Sequence, residues 1–145
     1  MKRSKRLQPV GQLMDELERE SALRVAAVQT RLGEAQHRCS ELQRYLDEYR
    51  DMFAQRAKLG IGVSGMRDYQ TFIARLSEAV QAQQHVVTQL SEECQREREV
   101  WFQAAARKCA VSKVIDQAHS EDRTAEDRRV QREQDERAQR PRGAL

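Results

Sequence analysis

Apolar side chains recur along this chain at alternating steps of three and four residues, and that spacing limits the folds open to it. From Val25 the series runs through Val28, Leu32, Ala35, Cys39, Leu42, Leu46 and Tyr49 to Phe53, every position apolar or aromatic. A second series runs from Tyr69 through Ile73, Leu76, Val80, Gln83, Val87, Leu90, Cys94, Glu97, Trp101, Ala104, Lys108, Val111 and Ile115 to Ala118. Only Gln83, Glu97 and Lys108 interrupt it. A repeat sustained this long lays a narrow apolar seam along a helix, which is what supercoiled helices need. The positions between are largely Arg, Glu, Gln and Ala, all good helix formers. Followed backward from Val25, the first series meets Ser21, Glu18 and Met14, while Leu13 and Leu17 fall one residue out of frame. That pattern predicts a slip in the repeat near the N-terminal end.

Between the two series lies Ala57-Lys58-Leu59-Gly60-Ile61-Gly62-Val63-Ser64-Gly65. Glycine ends helices and adopts left-handed backbone conformations cheaply. Ser64 is placed to cap a following helix by accepting from an exposed backbone N–H. The chain is therefore expected to reverse between about Gly60 and Gly65. The predicted fold is all-α: a long antiparallel two-helix coiled-coil hairpin with a glycine-containing loop and a charged C-terminal tail. Its expected divisions are a basic arm over 1–8, a first helix over 9–57, a loop over 58–65, a second helix over 66–119 and a tail over 120–145. If Phe53 faces Tyr69, then Leu46 lies near Leu76, Leu32 near Leu90 and Met14 near Lys108. Cys39 and Cys94 would then be far apart, each a small hydrophobe in the seam.

Composition supports this frame. The chain has 145 residues, of which 34% are charged and only 5% aromatic, so large side chains to fill a compact core are scarce. No run of 18 or more apolar residues exists, so no membrane-spanning helix is expected. The formal charge of +3 belongs to Lys2, Arg3, Lys5 and Arg6, because setting these aside leaves 22 of the 26 basic residues against 23 acidic ones. Such an arm is expected to be a solubilising, frayed terminus, although it has the chemistry to touch phosphate or anionic lipid. No apolar segment follows it as in a secretory signal, so cytoplasmic residence is the default. From Ser120 to Arg142 there are seven acids, seven arginines and one valine. That stretch is expected to be a single solvated helix or disordered, with Pro141 ending any helix.

Sites of chemistry are not apparent. Three cysteines and three histidines are scattered without the tight spacing a zinc site needs. There is no phosphate-cradling glycine loop, and a hairpin two helices thick has no concave, water-poor cleft for catalysis. The expectation is a protein that is not an enzyme and takes no metal or cofactor. The aromatic residues say more. Tyr45, Tyr49, Phe53, Tyr69 and Phe72 account for most of them and flank the loop. Tyr45 and Phe72 lie beside the seam rather than in it, so Tyr45 and Tyr49 are expected to approach Phe72, Leu76 and Ala79 in a partly exposed patch. Aromatic rings on a charged surface anchor protein interfaces, and equally can tie a hairpin tip together. Trp101 either fills the seam opposite Ser21 or acts as an anchor with Phe102.

The segments Leu46-Asp47-Glu48-Tyr49-Arg50 and Tyr69-Gln70-x-Phe72-Ile73-x-x-Leu76, on either side of the Gly60/Gly62 loop, resemble the flagellar export FliJ family. The layout of basic start, hairpin and charged tail is similar over nearly the whole chain. The resemblance implies a small cytoplasmic component of the flagellar type III export apparatus, peripheral at the cytoplasmic face of the inner membrane and serving motility. It implies a coiled coil similar to the central stalk of rotary ATPases. The implied partners are the hexameric export ATPase, the cytoplasmic domain of the membrane export gate, and export chaperones. The gate contact, carried over by position, falls on Leu42, Tyr45, Tyr49, Phe72, Leu76 and Ala79, with Gln83 in the same row.

Two other readings differ in kind. A nucleic-acid-binding arm would use Lys2 to Arg6 and the C-terminal arginines, but those arginines are matched by acids, so no nucleic-acid partner is expected. A generic coiled-coil scaffold would self-associate. A hairpin satisfies its own seam, so a monomer is expected, with a four-helix bundle of two hairpins as the alternative.

Overall fold

The computed structural model describes residues 2–140. Two helices account for nearly all of them: α1 (Arg3–Leu59) and α2 (Val63–Gln139), with no strand among the described residues. They pack against each other as a helical hairpin. The chain divides into two compact units, one made of Ala22–Val100, the other of Met1–Ser21 with Trp101–Leu145.

The loop unit, Ala22–Val100, is built on the seam. Val28, Ala35 and Leu46 of α1 are buried, as are Val80 and Cys94 of α2. Leu32, Cys39, Leu42, Tyr49 and Phe53 are half-buried along the same line, as are Tyr69, Ile73, Leu76, Val87 and Leu90. The Phe53 and Tyr69 rings meet at 5.7 Å between centroids, so the expected pairing holds at the loop end. Two of the three polar interruptions lie in this unit, and α1 meets both. The Gln83 amide donates to the Ala35 carbonyl at 3.1 Å. Glu97 accepts from Arg24 Nε at 3.3 Å. A polar group in the seam is tolerated when it finds such a partner. All three cysteines are free, with Cys94 buried, Cys39 half-buried and Cys109 exposed.

The turn is tighter than the sequence suggests. Only Gly60, Ile61 and Gly62 lie outside the helices. Gly60 has φ of 90°, a left-handed conformation that ends α1 at little cost only for glycine. The Gly62 carbonyl accepts from Met66 N at 3.0 Å, which starts α2. Ser64 is therefore inside the first turn and is not the cap. Glycine at that boundary is only slightly worse than serine. Ile61 folds back so closely that a methyl on Gly65 would sit 3.0 Å from its Cγ1.

The second unit keeps the repeat in frame with different side chains. Stepping three and four back from Val25 reaches Ser21, Glu18, Met14, Gly11, Leu7 and Ser4, each buried or half-buried. The expected slip is absent: Leu13 and Leu17, the out-of-frame leucines, are 50% and 40% exposed. Gly11 lets the helices approach, since a Cβ there would stand 2.7 Å from Ile115 Cδ1. Lys108, the third interruption, reaches Glu18 at 3.6 Å and Asp15 at 3.9 Å. Trp101 is neither buried filler nor free: its indole N–H donates to Glu18 Oε1 at 3.0 Å.

The basic start belongs to α1 rather than forming a separate arm. Arg3 pairs with Glu121 at 3.3 Å, and the buried Ser4 hydroxyl donates to the Asp122 carboxylate. These ties hold the first turns although Pro9, inside α1, removes one helical hydrogen bond. Beyond Asp122, α2 continues to Gln139 with its residues almost all exposed. Local pairs such as Arg129–Glu126 (2.6 Å) support it. Pro141, expected to end a helix, lies outside the described residues.

Candidate partner-binding surface

Near the loop, two rows of side chains run along one edge of the seam and include its members Leu42, Tyr49 and Leu76. On α1 the row is Leu42, Tyr45, Tyr49 and Met52; on α2 it is Asp68, Phe72, Leu76 and Ala79. Steps of three and four keep each row on one side of its helix, next to the residues that face the partner helix. Tyr49 and Phe72 meet across the hairpin with ring centroids 4.4 Å apart and planes tilted by 44°. Aromatic pairs favour such tilted contact over a face-to-face stack. Leu42, Leu76 and Ala79 are half-buried beside them. Phe72 remains 43% exposed after making this contact, so its ring both packs and presents apolar surface.

Tyr45 is positioned differently. It is exposed, and its ring lies under the Arg44 guanidinium at 5.7 Å. A cation over an exposed ring contributes about 0.5–1 kcal/mol, too little to make Tyr45 a tie for the fold. The structure thus joins Tyr49 to Phe72 and leaves Tyr45 at the outer border.

One residue escaped the sequence reading. Met52 is exposed and, with Tyr49, Asp68, Tyr69 and Phe72, lines a shallow depression of about 350 Å³. Its signal was available, since it stands three residues after Tyr49 in the same row. A flexible thioether next to two rings gives a surface that adapts to an apolar partner. Another depression in this unit is lined by Cys39, Ser40, Gln43, Arg44, Asp47 and Gln84.

No group of three or more His, Cys, Asp or Glu is placed to hold a metal ion among the described residues. In the other unit, Asp122 is a titratable group held below its ordinary range. The Ser4 hydroxyl bond keeps the Asp122 carboxyl below 3.8, partial burial opposes this, and the Lys2 and His119 charges add to the lowering.

A family model, described as the flagellar FliJ protein, matches residues 3–141, which include both helices, the loop and the two rows. The chain belongs to the FliJ family. No match was found among curated proteins or among solved structures. FliJ proteins are components of the flagellar export apparatus, and membership places this chain among them. No helix among the described residues is long and apolar enough to cross a membrane. In this FliJ-family chain the six residues singled out from sequence are thus distributed over one edge of the loop unit, four half-buried and two exposed.

Proposed function

We propose that this protein links the flagellar export ATPase ring to the cytoplasmic domain of the membrane export gate, as a stalk-like coiled coil that also escorts export chaperones. On this reading it is cytoplasmic, peripheral at the inner membrane, and needed for motility and for the chemotaxis that depends on it. The gate contact is made by Leu42, Tyr45, Tyr49, Phe72, Leu76 and Ala79, with Met52 extending it.

The observation that carries the reading is the exposed remainder of the Tyr49–Phe72 pair in a row with Tyr45 and Met52. Rings of this kind dominate interface energetics when a partner desolvates them. Continuous helices support the linking role, since they transmit orientation along their axes as a flexible chain does not. No residue at the other end matches a recognisable motif for the ATPase contact.

The test is binding of the full chain to the gate's cytoplasmic domain at low and high salt. Phe72→Ala is expected to weaken binding about 30-fold, the equivalent of about 2 kcal/mol at a buried hot spot. Tyr45→Ala, which removes no packing across the hairpin, is expected to weaken binding with unchanged helicity. Binding should survive high salt, because apolar contact is not screened. If both variants bind like the wild type, these rings only tie the tip together and the gate contact lies elsewhere. Loss of binding with salt alone would favour an electrostatic partner such as nucleic acid.

A further inference from the structure

We infer that the apex of the hairpin is a lipid-binding wedge for anionic bilayer surfaces. The inference stands apart from the gate contact, because it concerns the loop and not the aromatic rows.

Leu59, the last residue of α1, is 86% exposed, and Val63, the first of α2, is 72% exposed. Met66, one turn on, is also exposed. A single exposed apolar residue needs no explanation, but three at one end of a hairpin form a cap. Arg56, Lys58 and Arg67 collar this cap, all exposed and with no ion-pair partner among the described residues. No acid occurs between Asp51 and Asp68, in a chain that is otherwise rich in acids. The helix dipole accounts for Arg56 and Lys58, which lie in the last turn of α1. It does not account for Arg67, nor for the absence of any acid from the first turn of α2, where an acid would be favoured.

An apolar cap with a cationic collar is complementary to an anionic membrane surface. The cap side chains enter the acyl boundary while the collar stays at the level of the headgroups. The three-residue turn suits this, since it presents Leu59 and Val63 on either side of a glycine kink. A protein pocket with an acidic rim offers similar chemistry. The unpaired collar and the lack of any polar side chain among Leu59, Gly60, Ile61, Gly62 and Val63 favour lipid.

The test is sedimentation of the full chain with phosphatidylcholine vesicles and with vesicles containing about 30% phosphatidylglycerol. Binding is expected to the anionic vesicles only. The double variant Leu59→Asp with Val63→Asp is expected to lose at least roughly tenfold of it, with helicity unchanged because both positions are exposed. Lys58→Gln and Arg67→Gln should each lower it roughly fivefold. Phe72→Ala should bind vesicles normally, which separates this proposal from the gate contact. The proposal is overturned if anionic vesicles do not bind, or if the Leu59→Asp, Val63→Asp variant binds as the wild type does. The latter outcome would assign lipid binding to Lys2 to Arg6. Loss of gate-domain binding by that variant, without any vesicle binding by the wild type, would make the apex a protein contact and overturn it equally.

Discussion

Two glycines of this chain call for opposite treatment, and the contrast isolates what each does. Gly33 lies in the body of α1 with nothing within 4 Å of where a Cβ would project, and its backbone is helical. Gly33→Ala should therefore raise stability by about 0.5–1 kcal/mol through helix propensity alone. Gly60 also has open space around it, but its φ is 90°. Gly60→Ala should lower stability by about 1–2 kcal/mol, because the left-handed backbone strains any residue with a Cβ. Thermal unfolding of the two variants beside the wild type checks both signs, and equal shifts would show that the turn does not need the left-handed glycine. At the same scale, Tyr49 and Phe72 were legible from their rows, and their pairing followed from the register. Met52 was equally legible, since it stands three residues after Tyr49 in the same row. Ser64 looked like a cap by type, yet the N-cap is Gly62, whose carbonyl accepts from Met66 N, because α2 starts two residues earlier, at Val63.

Among the elements, α1 shows where a repeat can be read and where it cannot. Over Val25–Phe53 the facing positions are apolar, so periodicity alone placed them. Toward the N-terminus the frame persists, but of its facing residues only Met14 and Leu7 are large and apolar, while Ser21, Glu18, Gly11 and Ser4 carry no hydrophobic signal. Leu13 and Leu17 then mimic a slipped register that tertiary contacts do not adopt. Several of those contacts are polar, and Ser4–Asp122 is one of them, near the start of α1. It makes the end of the hairpin sensitive to acid. Asp122 has a lowered pKa when folded, so its contribution is complete above 3.8 and is lost as pH falls through the folded value. Amide protection in the first two turns of α1, relative to the intrinsic exchange rate at each pH, should fall as pH drops through the lowered Asp122 value in the wild type. Ser4→Ala should exchange faster already at neutral pH and lose most of that acid response. An unchanged acid response in Ser4→Ala would mean that other carboxylates hold this end.

For the whole molecule, the seam composition implies two levels of stability in one chain. The loop unit buries Val28, Ala35, Leu46, Val80 and Cys94, whereas the other unit buries Ser4, Ser21 and Ala118 and relies on Glu18, Trp101 and Lys108 to complete its interface. Exposed ion pairs such as Arg3–Glu121 add about 0–1 kcal/mol and do not offset the missing apolar area. The last stretch of α2, after Asp122, has no α1 residue to face and depends on local pairs alone. Opening free energy should follow burial, since segments with few buried apolar contacts open without global unfolding. Hydrogen exchange of the full chain is therefore expected to be slowest in the regions 28–49 and 73–94. It should be at least roughly tenfold faster in 4–21 and 101–122, and fastest in 126–139. Such a gradient would leave the aromatic edge on a rigid base while the paired termini open readily. Equal protection throughout would show that the polar contacts of Ser4, Glu18 and Lys108 hold as firmly as an apolar seam.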